Sequence, residues 1–180
     1  MKTIITTVSN ELVVSVNLAK QHLRLDTDDG TDDDLIKHLI EVATERAEHQ
    51  LGRSLLTKTY KTVAEHGDKI KLLPNLIAIS SVVVTNDDDS VTTLTGSDHL
   101  LNENSLIPEI MPMVVVEKTI AITYTAGYGN ADAVPKAIKQ WILVDLATLY
   151  ENREAVMSYG VNAVPYAFVD GLLDPYRVQY

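Results

Sequence analysis

The stretch from Ile120 to Glu154 constrains this chain most, because it reads as a strand, a glycine turn and then the longest apolar helix in the protein. Ile120, Ile122 and Tyr124 alternate with Ala121, Thr123 and Thr125, the period of a half-buried strand. Gly127 and Gly129 then permit a backbone reversal that residues with a Cβ resist. Pro135 suits the first helical position, since its φ is fixed near the helical value and its missing N–H would have no intrahelical partner there. Gly127, Gly129 and Pro135 are therefore the expected structural hinge. Helical spacing gathers Ile138, Trp141, Ile142, Asp145, Leu146 and Leu149 on one face, with Lys136, Gln140, Ala147, Glu151 and Glu154 on the other. Leu143 and Val144 flank the polar side, so this helix, near 135–151, is too apolar for a single packed face.

A chain of 180 residues fits one domain and is long enough to bury a core. It has no cysteine, which removes thiol catalysis and thiolate metal sites. No apolar run reaches membrane-spanning length, and the opening MKTIITTVSNE is too short and polar for a secretory signal, so a soluble, intracellular protein is expected, with no membrane partner. The net charge of -10 opposes a surface that grips phosphate backbones. It is compatible with a wall that DNA slides past.

Before this stretch, residues 1–16 form a β-prone arm whose partner is open. Asn17 is the expected cap of a short helix through Leu25, with Leu18 and Leu23 facing inward. A second helix is expected from Asp32 to Leu51, capped by Thr31 and stopped by Gly52. Residues 55–125 read as short strands: 55–63, 69–72, 77–85, 91–95 and 114–125. A hairpin turn is expected at His66-Gly67-Asp68 and another at Asn86 to Ser90, with irregular or briefly extended chain, broken by Pro108 and Pro112, between Ser97 and Met113. Pro165 starts an expected last helix that includes Phe168 and ends at Pro175. The fold class is thus α+β, with about four helices and an inserted antiparallel β portion. One domain is expected, with helical parts near 17–52 and 135–175 and the β-rich insertion near 55–125.

The candidate chemical motifs fail on spacing. In the acidic linker Asp26 to Asp34, a calcium loop starting at Asp26 would put its glycine one place early and Lys37 where a bidentate glutamate is required. His38, Glu41, Glu45 and His49 share a helix face without a zinc or di-metal pattern, and a solvated charged face explains them better. The turn Gly127-Tyr-Gly129-Asn-Ala-Asp132 resembles a dinucleotide loop, but Asp132 would oppose a pyrophosphate and no βαβ repeat surrounds it. His22, His38, His49, His66 and His99 are scattered, and no nucleophile elbow is present. No catalytic residue, metal or cofactor is assigned. Asp145, in the middle of an apolar helix face, requires a partner, for which Arg24, Arg46 and Arg53 are the candidates.

The runs LAKQHLRLD and TDDDLIKHLIEVATERAEHQLGRSLLTKTY, the segment LLPNLIAISSVVVTNDDDSVTTLTGSDHLL, the turn-helix TAGYGNADAVPKAIKQWILVDLATLYENREAV and the ending DGLLDPYRV together resemble the head-tail connector (adaptor, head-completion) family of tailed bacteriophages. The resemblance spans about Leu18 to Val178. The family carries an aliphatic residue near Asp145 and an aromatic near Leu149; this chain departs at both and places Trp141 nearby.

The resemblance implies a structural virion protein, not an enzyme, that docks as a dodecameric ring on the portal vertex after DNA packaging. It also implies that the ring extends the DNA channel, lets DNA pass without specific binding, and presents a surface to the next neck or tail protein. The location implied is the virion neck, with assembly in the host bacterial cytoplasm. Leu143, Val144, Glu151 and Arg153 are the expected subunit-interface residues, a ring contact having to join two different patches of one subunit. Pro175, Tyr176, Arg177 and Val178 are the expected portal-docking residues. Other neck or tail-completion roles, or a small phage-encoded enzyme or nucleotide-binding protein using the Gly127 to Asp132 turn, are the alternatives.

Overall fold

The computed structural model describes residues 1–65, 69–103, 105–152, 169 and 171–178. The fold is α+β and resolves into two compact units: Met1–Asn10 with Leu56–Gly129, and Glu11–Leu55 with Asn130–Tyr180.

The first unit is all antiparallel sheet. Its strands are β1 (Lys2–Thr7), β2 (Lys58–Ala64), β3 (Ile70–Lys71), β4 (Leu76–Thr85), β5 (Val91–Leu94), β6 (His99–Asn102), β7 (Glu109–Pro112) and β8 (Thr119–Ala126). One sheet runs β1-β2-β8-β4-β5 and a smaller one β3-β7-β6. The expected alternation is strict in β8, whose Ile120, Ile122, Tyr124 and Ala126 are buried while the residues between are half-exposed. These side chains share a core with Tyr60, Val82, Val84, Ile70 and Ile110. Tyr60 and Tyr124 stand opposite each other across β2 and β8, with stacked rings 5.7 Å apart.

Several strand expectations need correction. The N-terminal arm finds its partner in β2, with Ile4 opposite Lys61. The expected hairpin between the first two middle strands does not form: β2 is flanked by β1 and β8, so neither of its edges is left for β3, which joins the other sheet beside β7. The tip expected there, His66 to Asp68, lies outside the described residues. The region expected to be irregular or briefly extended takes the second form, in the four-residue strands β6 and β7, and the last strand starts at Thr119 instead of Val114. Asn86 to Ser90 is a turn as expected, with Asp89 at φ 62° and the β4–β5 pairing on either side.

The second unit holds α1 (Val16–Leu23), α2 (Asp33–Leu51) and α3 (Lys136–Glu151), the three α-helices among the described residues. Ser15, not Asn17, caps α1, its hydroxyl accepting from the Leu18 N–H at 3.2 Å. Leu18 faces solvent, whereas Ala19 and Lys20 are buried. Asp32, not Thr31, is the cap residue of α2, because the Thr31 N–H and hydroxyl both donate to Asp29. Gly52 ends α2 at φ 67°, its N–H donating to the Glu48 carbonyl. Pro135 stands one place before the first residue of α3. The expected fourth helix falls largely outside the described residues; at its end, Asp174–Tyr176 is a 3-10 turn that contains Pro175 instead of stopping before it.

Candidate functional site

The residues singled out by sequence divide between a turn, a helix and the C-terminal segment. In the turn, Gly127 has φ 137°, and a Cβ there would lie 2.3 Å from the Leu56 carbonyl oxygen. Only glycine allows that approach. Its N–H donates to the Asn75 carbonyl, and the Gly129 carbonyl accepts from both the N–H and the hydroxyl of Thr57 at 2.9 Å. This is backbone-to-backbone packing between chain segments, the work of a structural turn. In the other unit, Asn130 caps a 3-10 turn, Ala131–Ala133, in which Asp132 is exposed, and the Glu11 carboxylate accepts from the Ala131 N–H at 3.1 Å.

On α3, Ile138, Trp141, Ile142, Leu143, Asp145 and Leu146 are buried. Of the four expected interface residues, Leu143 is only 6% exposed, Val144 is half-buried, Glu151 is exposed, and Arg153 lies outside the described residues. Leu143 therefore belongs to the core of its own unit. Asp145 has Arg46 of α2 as its cation, Nη1 standing 2.8 Å from Oδ1 and 3.0 Å from Oδ2. The carboxylate side chain is 2% exposed and the arginine 41%, so the pair joins a buried anion to a half-hydrated cation.

A second buried charge escaped the sequence reading. Lys20 is 2% exposed, and its ammonium donates to the carbonyls of Thr27 at 3.3 Å and Asp29 at 2.7 Å while pairing with the Asp33 carboxylate. Three acceptors match the three donors of an ammonium. The acidic linker is folded around the chain's own cation. Lys20 follows Ala19 on the buried side of α1, whereas Leu18, expected to face inward, lies on the exposed side.

The C-terminal segment is anchored as well as exposed. Leu173 and Val178 are buried, and the Val178 N–H donates to the Leu51 carbonyl at 2.9 Å. Arg177 reaches Asp174 at 3.3 Å and Gln50 at 3.5 Å. Pro175 and Arg177 face solvent, and Tyr176 is half-buried. Among the four expected docking residues, Val178 thus holds the segment to its own subunit.

His22, His38 and His49 are exposed, His99 is half-buried, and His66 lies outside the described residues. Among the described residues, no group of three or more His, Asp or Glu is placed to hold an ion. Turn hydrogen bonds hold several surface carboxyls below the usual carboxylate range: Asp29 by Thr31, Asp88 by Ser90 and Asp98 by Thr95, with Asp89 lowered by Lys118. These acids are the most firmly ionised part of an acidic surface.

A family model, that of phage gp6-like head-tail connector proteins, matches residues 14–113, more than half of the chain. The chain belongs to this family. Its members are structural connectors of phage particles, not a class of enzyme. Among solved structures, a chain in the neck of an empty gene transfer agent particle computed with C6 symmetry matches with a TM-score of 0.82 and 21% identity. A chain of the virion of the native gene transfer agent particle matches with 0.79 and 20%, and one in the native neck computed with C12 symmetry with 0.73 and 17%. Each match covers 100% of this chain and 97% of the other. At these identities the likeness is one of fold, and it extends to the part of the chain beyond residue 113. No curated protein sequence matches the chain.

Proposed function

We propose that this connector-family member is a head-tail adaptor: a single connector domain, with its β-rich part inserted between helical segments, that assembles as a ring on the portal vertex after DNA packaging. There it extends the DNA channel and offers the attachment surface for the next neck or tail protein. It acts in the virion neck and is assembled in the host bacterial cytoplasm. The observation that carries this reading is the family match over residues 14–113. It is supported by the likeness of fold to chains of gene transfer agent necks computed with C6 and C12 symmetry, orders that fit a dodecamer. The net charge of -10 suits a conduit, because a wall that repels phosphate lets DNA pass.

Val144 and Glu151 are the residues of the α3 flank that remain available to a neighbouring subunit, and Pro175, Tyr176 and Arg177 are the proposed portal contact. Tyrosine and arginine are the residue types that most often anchor interfaces. The test is to mix the full-length protein with portal and image it by negative stain while measuring affinity. Density added to the portal as a ring is expected, and its absence would overturn the adaptor reading. Arg177→Ala is expected to weaken portal binding at least tenfold with an unchanged thermal melt; undiminished binding would move the docking surface elsewhere.

A further inference from the structure

Among the exposed apolar side chains of the β unit's described residues, two patches differ in charge. The first surrounds β1. All six residues of this strand are exposed, and it forms an edge of the five-stranded sheet, so one side of its backbone is open to pairing. Ile4 stands directly opposite Lys61 of β2, with Lys2 two places along on the same face, while Ile5 on the other face is 53% exposed. The patch is aliphatic with lysines at its border.

The second patch is the outer face of β6 and β7. Leu101 and Ile110 oppose each other on the inner face, where Ile110 enters the core. Alternation therefore sends Leu100, Met111 and Met113 outward, and the chain continues through Val115. Leu100 is 58% exposed, Met113 64% and Val115 80%, a large apolar exposure for an acidic protein. Its border carries four carboxylates, Asp98 beside Met113, Glu103 and Glu109 at the Asn102 end, and Glu117 two residues past Val115, with Lys71 of β3 opposite Glu109 as the cation among them.

We propose that the Lys2–Ile4–Lys61 patch around β1 docks on the Leu100–Met113–Val115 face of a second copy of this chain. The argument is complementarity. Pairing β1 with another β1 would bring Lys2 and Lys61 toward their own copies, and pairing the two outer faces would crowd carboxylates together. Joining one patch to the other covers apolar surface on both sides and sets lysines against carboxylates. Contacts between two different patches are heterologous, and they close into a ring when the rotation between copies allows. The inference therefore rests on the ring reading above but assigns the contact to the β unit.

The absence of cysteine supplies a clean test. Full-length Ile4→Cys and Met113→Cys proteins, each with one exposed thiol, are mixed and treated with a short bifunctional maleimide. A covalent dimer from the mixture, far above the yield of either variant alone, is expected. The charge reversals Lys61→Glu and Glu109→Lys should each cut that yield severalfold, and the two together, on opposite partners, should restore it. Native protein alone and with portal is imaged in parallel. No mixed dimer, or an Ile4→Cys dimer equal to the mixed one, overturns the contact, whether or not rings form. Rings without the mixed dimer leave the adaptor reading standing; the mixed dimer without rings would retain the contact and remove the ring.

Discussion

The two units bury polarity in opposite ways. In the β unit, the polar side chains buried in the core among the described residues carry neutral hydroxyls: the Tyr124 hydroxyl lies 3.3 Å from the Thr62 hydroxyl and accepts from the Leu73 N–H at 3.2 Å. The helical unit instead buries charges, Lys20 against the linker and Asp145 against Arg46. Strands fix their register through a ladder of backbone bonds and alternating side chains, so the sheet needs no ionic latch. Packed helices have no such ladder between them. Here ion pairs join α1 to the start of α2 and, between positions 99 apart in sequence, α2 to the middle of α3. A misplaced helix would leave a buried charge without its counter-ion, which penalises the wrong arrangement more than it stabilises the right one.

The largest expected effect lies in the helical core. Trp141 is almost fully buried, and Trp141→Ala should lower unfolding free energy by about 3–5 kcal/mol, followed by circular dichroism because the chain's one tryptophan is lost. A loss below about 1 kcal/mol would remove Trp141 from the core. Gly127→Ala probes the β unit by a different route. The new Cβ meets the Leu56 carbonyl, and the backbone is held where side chains are strained, so a cost on the order of 3 kcal/mol is expected. Gly129, with open space around it, should show only the conformational part, roughly 1 kcal/mol.

The ion pair on α3 makes an asymmetric prediction. Arg46→Met leaves a 2%-exposed carboxylate without this cation and should cost about 2–3 kcal/mol, less than a fully buried pair because Arg46 is half-hydrated. Asp145→Leu leaves an arginine that can turn to water, and should stay within about 1 kcal/mol of neutral. Equal costs for the two variants in urea melts would mean that the pair acts as a unit and would narrow the contrast between units. The need for this pair was legible in the sequence, because an aspartate at a core position of a helix requires a counter-charge. Its identity was not. Arg24, Arg46 and Arg53 were equally eligible until the crossing of α2 and α3 placed Arg46 opposite Asp145.

The same limit explains the strands. Alternation located β8 and the β4–β5 hairpin, since both signals are local. The partner of β1 depends on which edge β2 leaves open, and β2 lies far along the chain. β6 and β7 are legible only as briefly extended chain, without bounds or pairing, because Pro108 and Pro112 interrupt a weak four-residue pattern; Pro108 lies outside the strand, and Pro112 closes it. The assembly surfaces followed this rule too. Leu143 read as a flank on a helical projection, but a projection carries no information about what else packs there. The exposed face of β6 and β7 could not be read before those strands were known.

A pH-dependent effect tests the neutral character of the β core. Burial pushes the Tyr124 hydroxyl above its ordinary value of 10.0, outweighing its hydrogen bonds with Thr62 and Leu73, which act the other way. The neutral form is therefore favoured more in the folded than in the unfolded chain. Stability from this source is fully present below the unfolded value and is lost as pH rises from about 10 through the raised folded value. Tyr124→Phe should cost roughly 1–2 kcal/mol at neutral pH, because the Leu73 N–H loses its acceptor, and should flatten the alkaline fall in stability. Melts of both proteins from pH 8 to 11.5 decide the point. A variant that declines as steeply as the native chain would mean that the alkaline loss comes from elsewhere, and that Tyr124 keeps the β core neutral without making it sensitive to pH.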